Sequence, residues 1–358
     1  MSRNESVDAL RKKIDQIDEK VVALLNHRAS LAQKIGHSKS LNNQEVYVPN
    51  REKEVLLRVS SLSHGPLSEQ AIRAIFREVI SASRSLEAPT KVVYLGPEAT
   101  YTHAAAREKF GSSAALTSSV SIAEVFGEVS QGRAVFGVAP IENSTEGVVA
   151  HTLDLLVESD VKICAELFLE IHHCLLSQSG EADKIRRIVS HPQALAQCRR
   201  WLSRNFPDAK IDEVASTAQA ALMAASDKTL GAISSGVARE VYDLRMVAAN
   251  IEDHSHNITR FLVIGAKDSR SSGDDKTSLA FSVRDEPGIL HRMLQPFAKS
   301  RINLTKIESR PIKNKPWEYM FFIDFKGHKD EARVKRAINN LQKNCLFLKI
   351  LGSYPSGI

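Results

Sequence analysis

The chain has 358 residues and a formal net charge of +6, with 43% hydrophobic and 25% charged residues. This length suits two or three hydrophobic cores, and the ordinary charged fraction argues against extensive disorder. No apolar run approaches the ~20 residues of a membrane-spanning helix, and the charged start lacks the apolar stretch of a secretory signal. We therefore expect a cytoplasmic protein.

The first 88 residues predict an all-helical segment. Apolar residues recur at helical spacing from Val7 to about Leu41: Leu10, Ile14, Ile17, Val21, Leu24, Leu25, Leu31 and Ile35. A helix of ~33 residues would be ~50 Å long, more than a small globule can cover. We therefore expect its partner to come from a second copy of the chain, in a helical homodimer. Further helices are predicted over 51–62 and, capped by Ser68, to about Leu86.

From Lys91 the pattern changes to short apolar runs that alternate with helices, which predicts an α/β domain with a mostly parallel sheet. Its length, about 91–268, fits one domain or two lobes with a cleft between them. The predicted strands are 92–95, 135–139, 187–190, 231–234 and 261–265, and the clearest helices are 193–204 and 216–226.

A polar linker, 267–276, leads into a third segment, 276–358, with a β-α-β-β-α-β order typical of ferredoxin-like domains. Its predicted elements are strand 277–284, helix 287–300, strands 302–309 and 317–325, helix 330–343 and strand 345–353. The predicted fold class is therefore a multidomain α and α/β chain.

The cysteines and the charge pattern exclude some kinds of site. The chain contains no C-x-x-C pair and no Cys/His cluster with zinc spacing, so we expect reduced thiols and no metal. The basic residues are interleaved with acidic ones, as on a solvated surface, which does not favour nucleic acid as a partner.

Basic residues flank the apolar faces of the helical segment, and arginine is the natural bidentate partner of a carboxylate. Each taken alone reads as a surface charge. The stretches LRKKID (10–15), LLNHRASLAQKIGHSK (24–39), NREKEVL (50–56) and ISASRSLE (80–87) nevertheless resemble the all-helical class of chorismate mutases. This resemblance implies a three-helix dimeric domain over 1–88 and no cofactor. The implied catalytic residues are Arg11 (from the partner subunit), Arg28, Lys39, Arg51, Glu52, Ser83 and Glu87.

Two residues depart from the mutase pattern. Val48 replaces an acid that some members have, and Glu87 replaces glutamine. A glutamate can donate a hydrogen bond to the ether oxygen of chorismate only when protonated, so Glu87 needs a raised pKa. The reaction is a pericyclic rearrangement, so the site has to hold the compact conformer and stabilise charge on the breaking ether bond.

Four blocks of the α/β domain place hydroxyl or amide residues at predicted strand ends, where ligands collect in open α/β sheets. They are YLGPEATYTHAAA (94–106), GVAPIENSTEGVV (137–149), SHPQALAQC (190–198) and NITRFLVIG (257–265). Singly, such residues read as helix caps. Together they resemble prephenate dehydratase over about 91–266, with Ala99 where the family often has glycine.

The resemblance implies a catalytic role for Thr259, which would donate a hydrogen bond to the departing hydroxyl. A threonine is a poor proton source, so we expect a donor or relay rather than a strong acid. The implied substrate-binding residues are Asn143, Ser144, Thr145, Ser190, His191, Gln193, Ser216, Thr217, Arg260 and Phe261. His191 is the obvious titratable neighbour, although a His-Pro at a strand end is often structural.

The third segment resembles the ACT ligand-binding domain over 277–354, on DEPGILHRML (285–294) and INLTKIESRP (302–311). Gly288 lacks a Cβ and would allow a ligand to approach closely. The resemblance implies a phenylalanine effector site at a subunit interface, in a homodimer or dimer of dimers. The implied residues are Pro287, Gly288, Ile289, Leu290, Asn303, Leu304, Glu308, Ser309 and Arg310.

The predicted function is therefore a bifunctional isomerase and lyase of phenylalanine biosynthesis that acts on chorismate and prephenate and is inhibited by phenylalanine. Three alternatives stay open at this point. The chain could be an amino-acid-responsive regulator, although residues 1–88 lack a helix-turn-helix pattern. The helical segment could serve dimerisation alone, or the lyase substrate could be arogenate.

Overall fold

The computed structural model describes residues 6–41, 49–87, 90–284, 286–311 and 319–357. The chain divides into two compact units, Met1–Thr90 with Phe110–Ala115, and Lys91–Lys109 with Leu116–Ile358. Within the described ranges, no helix combines the length and the apolar character needed to cross a bilayer.

The first unit contains the three predicted helices, α1 (Val7–Leu41), α2 (Pro49–Leu62) and α3 (Glu69–Glu87). The hydroxyl of Ser68 accepts the backbone N–H of Ala71 at 3.1 Å and so caps α3 as predicted. Helix α1 passes through Gly36 without a break. A Cβ there would lie 2.8 Å from the Cβ of Glu87, so glycine allows α3 to approach α1 closely.

The apolar residues of α1 are largely exposed. Ile17 is 57% exposed and Leu24 is 69% exposed, and the other apolar residues of the predicted helical pattern exceed 36%. A helix face of this kind has no core to cover it within the described part of the chain.

The second unit begins with an α/β region built on two sheets. The first sheet has the order β2-β1-β3-β11-β5, with β4 paired to β3, and the second has the order β10-β6-β9-β7-β8. The strands of the first sheet are β1 (Lys91–Leu95), β2 (Ala115–Ser119), β3 (Phe136–Asn143), β4 (Gly147–Val148), β5 (Lys162–Glu170) and β11 (Ile258–Gly265). Those of the second are β6 (Cys174–Ser177), β7 (Arg187–Ser190), β8 (Lys210–Glu213), β9 (Leu230–Ser234) and β10 (Arg245–Ala248).

The prediction of a mostly parallel sheet was wrong. β11 is antiparallel to both of its neighbours, β3 and β5, and β6 is antiparallel to β9. The chain leaves the first sheet after β5, completes the second, and returns with β11. The start of β11 therefore meets the carboxyl end of β3.

Helices surround these two sheets. They are α4 (Tyr101–Phe110), α5 (Ile122–Ser130), α6 (Ala150–Glu158), α7 (Pro192–Gln197), α8 (Arg199–Asn205), α9 (Thr217–Ser226) and α10 (Val237–Val241). The single helix predicted over 193–204 is divided at Cys198, because the carboxylate of Asp253 accepts the backbone N–H groups of Arg200 and Trp201 and starts a new helix.

The predicted β-α-β-β-α-β order of the C-terminal region is confirmed. Its elements are β12 (Asp275–Ser282), α11 (Ile289–Lys299), β13 (Leu304–Pro311), β14 (Tyr319–Lys326), α12 (Ala332–Gln342) and β15 (Phe347–Pro355). The antiparallel sheet has the order β13-β14-β12-β15, which places β13 at an edge. The first two positions of the strand predicted over 317–325 lie outside the described residues.

The C-terminal sheet packs on the first sheet through a shared core. Phe322 and Leu351 belong to the same buried cluster as Ile163 and Leu262. Gly352 allows the approach, since a Cβ there would lie 2.3 Å from the carbonyl oxygen of Ile163.

Candidate active sites

The helical unit brings several predicted residues together where α1 meets α3. The Arg28 Nη1 donates to Ser83 Oγ at 2.6 Å, and Ser83 Oγ donates to the Val79 carbonyl at 2.7 Å. Burial lowers the pKa of Arg28, and Glu87 opposes this effect. The guanidinium stays charged and is held in place for a carboxylate.

An arginine that the sequence analysis did not single out completes this cluster. Arg84 is 6% exposed, and its Nη1 lies 2.5 Å from Oε1 of Glu52. Glu52 therefore forms an ion pair with a buried arginine of α3. The only sequence signal was an arginine on the apolar side of α3, which helical spacing could have revealed.

The structure gives Glu87 the raised pKa that its proposed role requires. Burial raises the pKa of this carboxyl, and the positive charges of Lys39, Arg84 and Arg28 oppose the shift. These cations therefore lie close enough to act on it. The protonated form, which can donate a hydrogen bond, persists to higher pH than in an ordinary glutamate.

Two predicted mutase residues lie apart from this cluster or at its rim. The Arg11 side chain is 73% exposed and lies 3.6 Å from Asp8. It precedes Arg28 by 17 positions on one helix, or ~25 Å. The Arg51 side chain is 65% exposed and pairs with Glu54 at 3.0 Å, although its charge still helps to lower the pKa of Arg28. Val48 lies outside the described residues.

In the second unit, Thr259 and Asn143 face each other across β11 and β3. They are register partners, and Asn143 Nδ2 donates to Thr259 Oγ1 at 2.7 Å. The Oδ1 of Asn143 accepts the backbone N–H groups of Thr145 at 2.9 Å and Glu146 at 3.0 Å. Backbone N–H groups can only donate, so the orientation of the Asn143 amide is fixed. Thr259 Oγ1 is therefore an acceptor towards Asn143, and its own hydrogen can be donated to a substrate oxygen.

Ser144, the next predicted residue, joins the same two strands. Its Oγ donates to the His256 carbonyl at 3.0 Å and accepts the N–H of Ile258 at 2.9 Å. Ser144 thus holds the start of β11 against the end of β3. Thr145 is exposed beside it.

Most of the predicted substrate-binding residues near the second sheet cap helices or form hydrogen bonds between strands. His191 Nδ1 accepts the N–H of Gln193 at 3.3 Å, and Ser216 Oγ accepts the N–H of Gln219 at 3.0 Å. Ser190 is fully buried and donates to the Ile233 carbonyl at 2.6 Å. Thr217 and Gln193 are half-buried at the starts of α9 and α7. No described contact joins these residues to Thr259.

Arg260 faces away from Thr259, towards the C-terminal domain, because neighbouring residues of a strand point to opposite faces. Its Nη2 lies 2.6 Å from Glu166 and its Nη1 lies 2.7 Å from Asp324. These anions raise its pKa above the usual arginine value, against the opposing effect of burial. Phe261 is 1% exposed and belongs to the core. The structure therefore does not place these two side chains with Thr259.

The register partner of Arg260, Glu142, also faces the C-terminal domain. Lys306 on β13 lies 2.6 Å from Glu142, and Lys276 on β12 lies 2.6 Å from Glu166. We call the group Glu142, Glu166, Arg260, Lys276, Lys306 and Asp324 the interdomain ion cluster.

The predicted effector residues occupy the start of α11 and the edge strand β13. Gly288 has φ +76, a left-handed conformation that favours glycine, and no atom lies within 4 Å of a Cβ built there. Pro287, Leu290, Asn303 and Ser309 are exposed, and Ile289, Leu304 and Glu308 are half-buried. Arg310 instead contacts Asp154 of α6 at 2.7 Å, so its charge is already paired within the chain.

Comparison with known families matches all three regions in order. Residues 10–88 match "Chorismate mutase type II", 92–269 match "Prephenate dehydratase" and 277–342 match "ACT domain". The bifunctional chorismate mutase/prephenate dehydratase of Aquifex aeolicus is 49% identical over 99% of this chain and 99% of its own.

The chain belongs to the bifunctional chorismate mutase/prephenate dehydratase family. A second member, from Pseudomonas aeruginosa, is 43% identical over the full length of both chains. The crystal structure of a prephenate dehydratase from Arthrobacter aurescens in complex with L-Phe has a TM-score of 0.68 and 32% identity, over 74% of this chain and 89% of that one. The predicted family, fold class and bifunctional enzyme are thereby confirmed.

Proposed function

We propose that the two activities of this bifunctional family are carried out by two separate sites. The α1–α3 cluster would rearrange chorismate to prephenate. The Asn143–Thr259 pair would convert prephenate to phenylpyruvate. The proposed domains are 1–88 for the mutase, 91–268 for the dehydratase and 276–358 for the regulatory domain.

In the mutase site, the reaction needs no nucleophile and no base. Arg28 and a partner-derived Arg11 would bind the two carboxylates of chorismate, with Arg51, Glu52 and Ser83 positioning the substrate. Lys39 and protonated Glu87 would donate to the ether oxygen as its bond breaks. Such donors accelerate the reaction because the oxygen gains charge only in the transition state.

In the dehydratase site, prephenate loses its ring carboxylate as CO2 while the electron pair forms the new ring double bond and expels the hydroxide. The departing oxygen takes up one proton and leaves as water. The observation that carries this proposal is the fixed amide of Asn143, which leaves the Thr259 O–H as a donor for that oxygen. Thr259 would stabilise the developing charge, and the proton would ultimately come from solvent.

Replacement of Thr259 tests this assignment. Thr259→Val removes the donor at nearly constant volume, so we expect the dehydratase kcat to fall about 100-fold or more, as for loss of a donor to a developing oxyanion. Thr259→Ser keeps the hydroxyl and should stay within about 10-fold of the parent. Phenylpyruvate formation from prephenate is the readout, and the mutase rate of the same variant is the folding control. A normal kcat in Thr259→Val would refute the assignment.

We further propose that phenylalanine inhibits the dehydratase by binding at α11 and β13. An L-Phe complex of the Arthrobacter aurescens relative supports this ligand. Among the described strands, β13 lies at an edge of its sheet, so a second copy could pair with it and complete the site there. The first measurement is phenylpyruvate formation from chorismate with and without phenylalanine, in which prephenate accumulation alone would refute the dehydratase function.

Two further points belong to this proposal. We propose prephenate rather than arogenate as the lyase substrate, because the mutase site of the same chain produces prephenate; a higher kcat/KM for arogenate would contradict this. We also propose that the enzyme acts in the cytoplasm as a homodimer or dimer of dimers.

A further inference from the structure

We propose that His173 and Tyr101 are positioning residues of the dehydratase, which act through a line of side-chain amides on Thr259. Neither belongs to the residues that the sequence analysis selected. The inference rests on the proposed role of Thr259 and identifies what orients that hydroxyl.

The line begins at Asn143 and runs away from Thr259. Asn143 Nδ2 donates to Asn257 Oδ1 at 2.7 Å, and Asn257 Nδ2 donates to Gln197 Oε1 at 3.1 Å. The same Gln197 oxygen lies 2.7 Å from His173 Nε2. The Nδ1 of His173 then lies 2.7 Å from the Tyr101 hydroxyl. We call these five side chains, with Thr259, the amide line.

The direction of every hydrogen bond follows from the fixed amide of Asn143. Because its Nδ2 is the donor, Asn257 presents its oxygen to Asn143 and its nitrogen to Gln197. Gln197 must therefore present its oxygen, which requires a hydrogen on His173 Nε2. In a neutral imidazole the other nitrogen is then an acceptor, and it shares the single hydroxyl hydrogen of Tyr101 with the His172 carbonyl, which lies 3.0 Å from that hydroxyl. Burial lowers the pKa of His173, which agrees with a neutral ring.

The orientation of the Gln197 amide depends on His173 and Asn257. Within the part of the chain that the structure describes, its buried Nε2 has no hydrogen-bond partner. Nothing on its nitrogen side therefore holds the amide in this orientation, and the donors from His173 and Asn257 do. Without His173, only the N–H of Asn257 would hold the Gln197 oxygen, and a rotated amide would set two donors against each other at Asn257.

The amide line also connects the two sheets. His173 and Gln197 belong to the region of the second sheet, just before β6 and at the end of α7. Tyr101 opens α4, and Asn143 and Thr259 lie on the first sheet. A disturbance at His173 is thus transmitted across the junction to the hydroxyl that the substrate meets.

The test is the His173→Leu variant of the full chain, assayed with prephenate. We expect kcat to fall about 10- to 100-fold, with KM within about threefold, because the donor geometry changes while the predicted substrate-binding residues are unchanged. His173→Gln can supply an N–H to Gln197 and should recover kcat to within about fivefold. Tyr101→Phe should cost less, because it removes only contacts at the outer end of the amide line, to His173 and to the His172 carbonyl. Exposed His151→Leu and the mutase rate of each variant are the controls.

A double-substitution cycle separates positioning from folding. If His173 acts through Thr259, adding His173→Leu to Thr259→Val should lower kcat by less than about twofold. Full additivity, a changed KM with normal kcat, or failure of His173→Gln to rescue would overturn the inference. A normal kcat in His173→Leu would also overturn it while leaving Thr259 in place. A normal kcat in Thr259→Val would instead refute the proposed function.

Discussion

At the residue scale, two neighbouring residue pairs on β3 and β11 lie on opposite faces of the sheet. Asn143 and Thr259 hydrogen bond to each other on one face. Glu142 and Arg260, the adjacent register pair, face the C-terminal domain on the other. Because Thr259 and Arg260 are consecutive residues of β11, a backbone shift at Arg260 also moves Thr259. Thr259 and Arg260 therefore connect the proposed donor to a contact with the C-terminal domain.

The pH dependence of the mutase tests the protonation of Glu87. Its raised pKa keeps the donor present at low pH, and the proton is lost as the pH rises through that value. We expect mutase kcat/KM to fall about tenfold or more across that transition, while Glu87→Gln, which always carries a donor, stays flat. Initial rates of chorismate loss at graded pH provide the measurement. A parent profile as flat as that of Glu87→Gln would contradict the role.

The contribution of Glu87 to the free energy of unfolding should also decrease as the pH rises. The folded-state pKa of Glu87 lies above the unfolded value, so its favourable contribution is complete below the unfolded pKa. That contribution disappears as the pH rises through the folded pKa.

At the element scale, β13 is placed to transmit effector binding. It carries predicted effector residues Leu304, Glu308 and Ser309, and Lys306 lies between them on the same strand. Lys306 reaches Glu142, the neighbour of Asn143, at 2.6 Å. A ligand that shifts β13 would thus act on the strand that orients Thr259, provided it binds the two arrangements with different affinities.

Replacement of Lys306 should weaken inhibition of the dehydratase by phenylalanine without weakening phenylalanine binding. In Lys306→Met we expect dehydratase activity without effector to stay within about threefold, since methionine keeps the apolar stem and Arg260 still lies 4.0 Å from Glu142. The phenylalanine concentration for half-inhibition should rise about tenfold or more, because the coupling is reduced. Phenylalanine binding measured by calorimetry should stay within about threefold. Exposed Lys343→Met is the matched control, and unchanged inhibition in Lys306→Met would contradict the coupling.

At the scale of the whole molecule, the exposed apolar face of α1 supports the proposed homodimer. Ile14 and Ile17 are 56% and 57% exposed, and Arg11 on the same helix lies too far along it to join Arg28 in one chain. A second α1 packed against this face would cover the apolar residues and bring its Arg11 to the site.

Charge placed on this face should therefore abolish both association and mutase activity. For Ile14→Glu combined with Ile17→Glu, we expect loss of the helical dimer contact and a mutase rate reduced about 100-fold or more, since the partner arginine is lost. Sedimentation velocity and chorismate turnover measure the two effects, with Lys20→Glu as a charge control on the same helix. Full mutase activity in a dissociated chain would contradict the shared site.

Much of the local structure could be predicted because it depends on neighbours in sequence. Helical spacing located α1, α2 and α3, and the β-α-β-β-α-β order located the C-terminal domain. Cap chemistry was likewise local, so Ser68 behaves as predicted. The division of the predicted helix at Cys198 could not be predicted from neighbouring residues. Asp253, which starts the second half, lies some fifty positions away in the sequence.

The chemistry-bearing residues were predicted less evenly, for the same reason. Thr259, Asn143, Arg28 and Glu87 lie in short stretches that resemble the two enzyme families. Arg84, His173 and Gln197 act only through distant partners, such as Glu52 and Asn257, so their stretches carried no distinct signal. The predicted role of Arg260 rested on the resemblance to prephenate dehydratase, yet strand alternation turns its side chain to the face opposite Thr259.

By itself, the sequence determined the family, the order of the three regions and the helices of the first unit. Tertiary structure alone decided that β11 runs antiparallel between β3 and β5, and therefore that Asn143 meets Thr259 while Glu142 and Arg260 meet the C-terminal domain. The physical reason is range. Periodicity, capping and composition act within a few residues, whereas strand pairing and side-chain hydrogen bonds join positions more than a hundred residues apart.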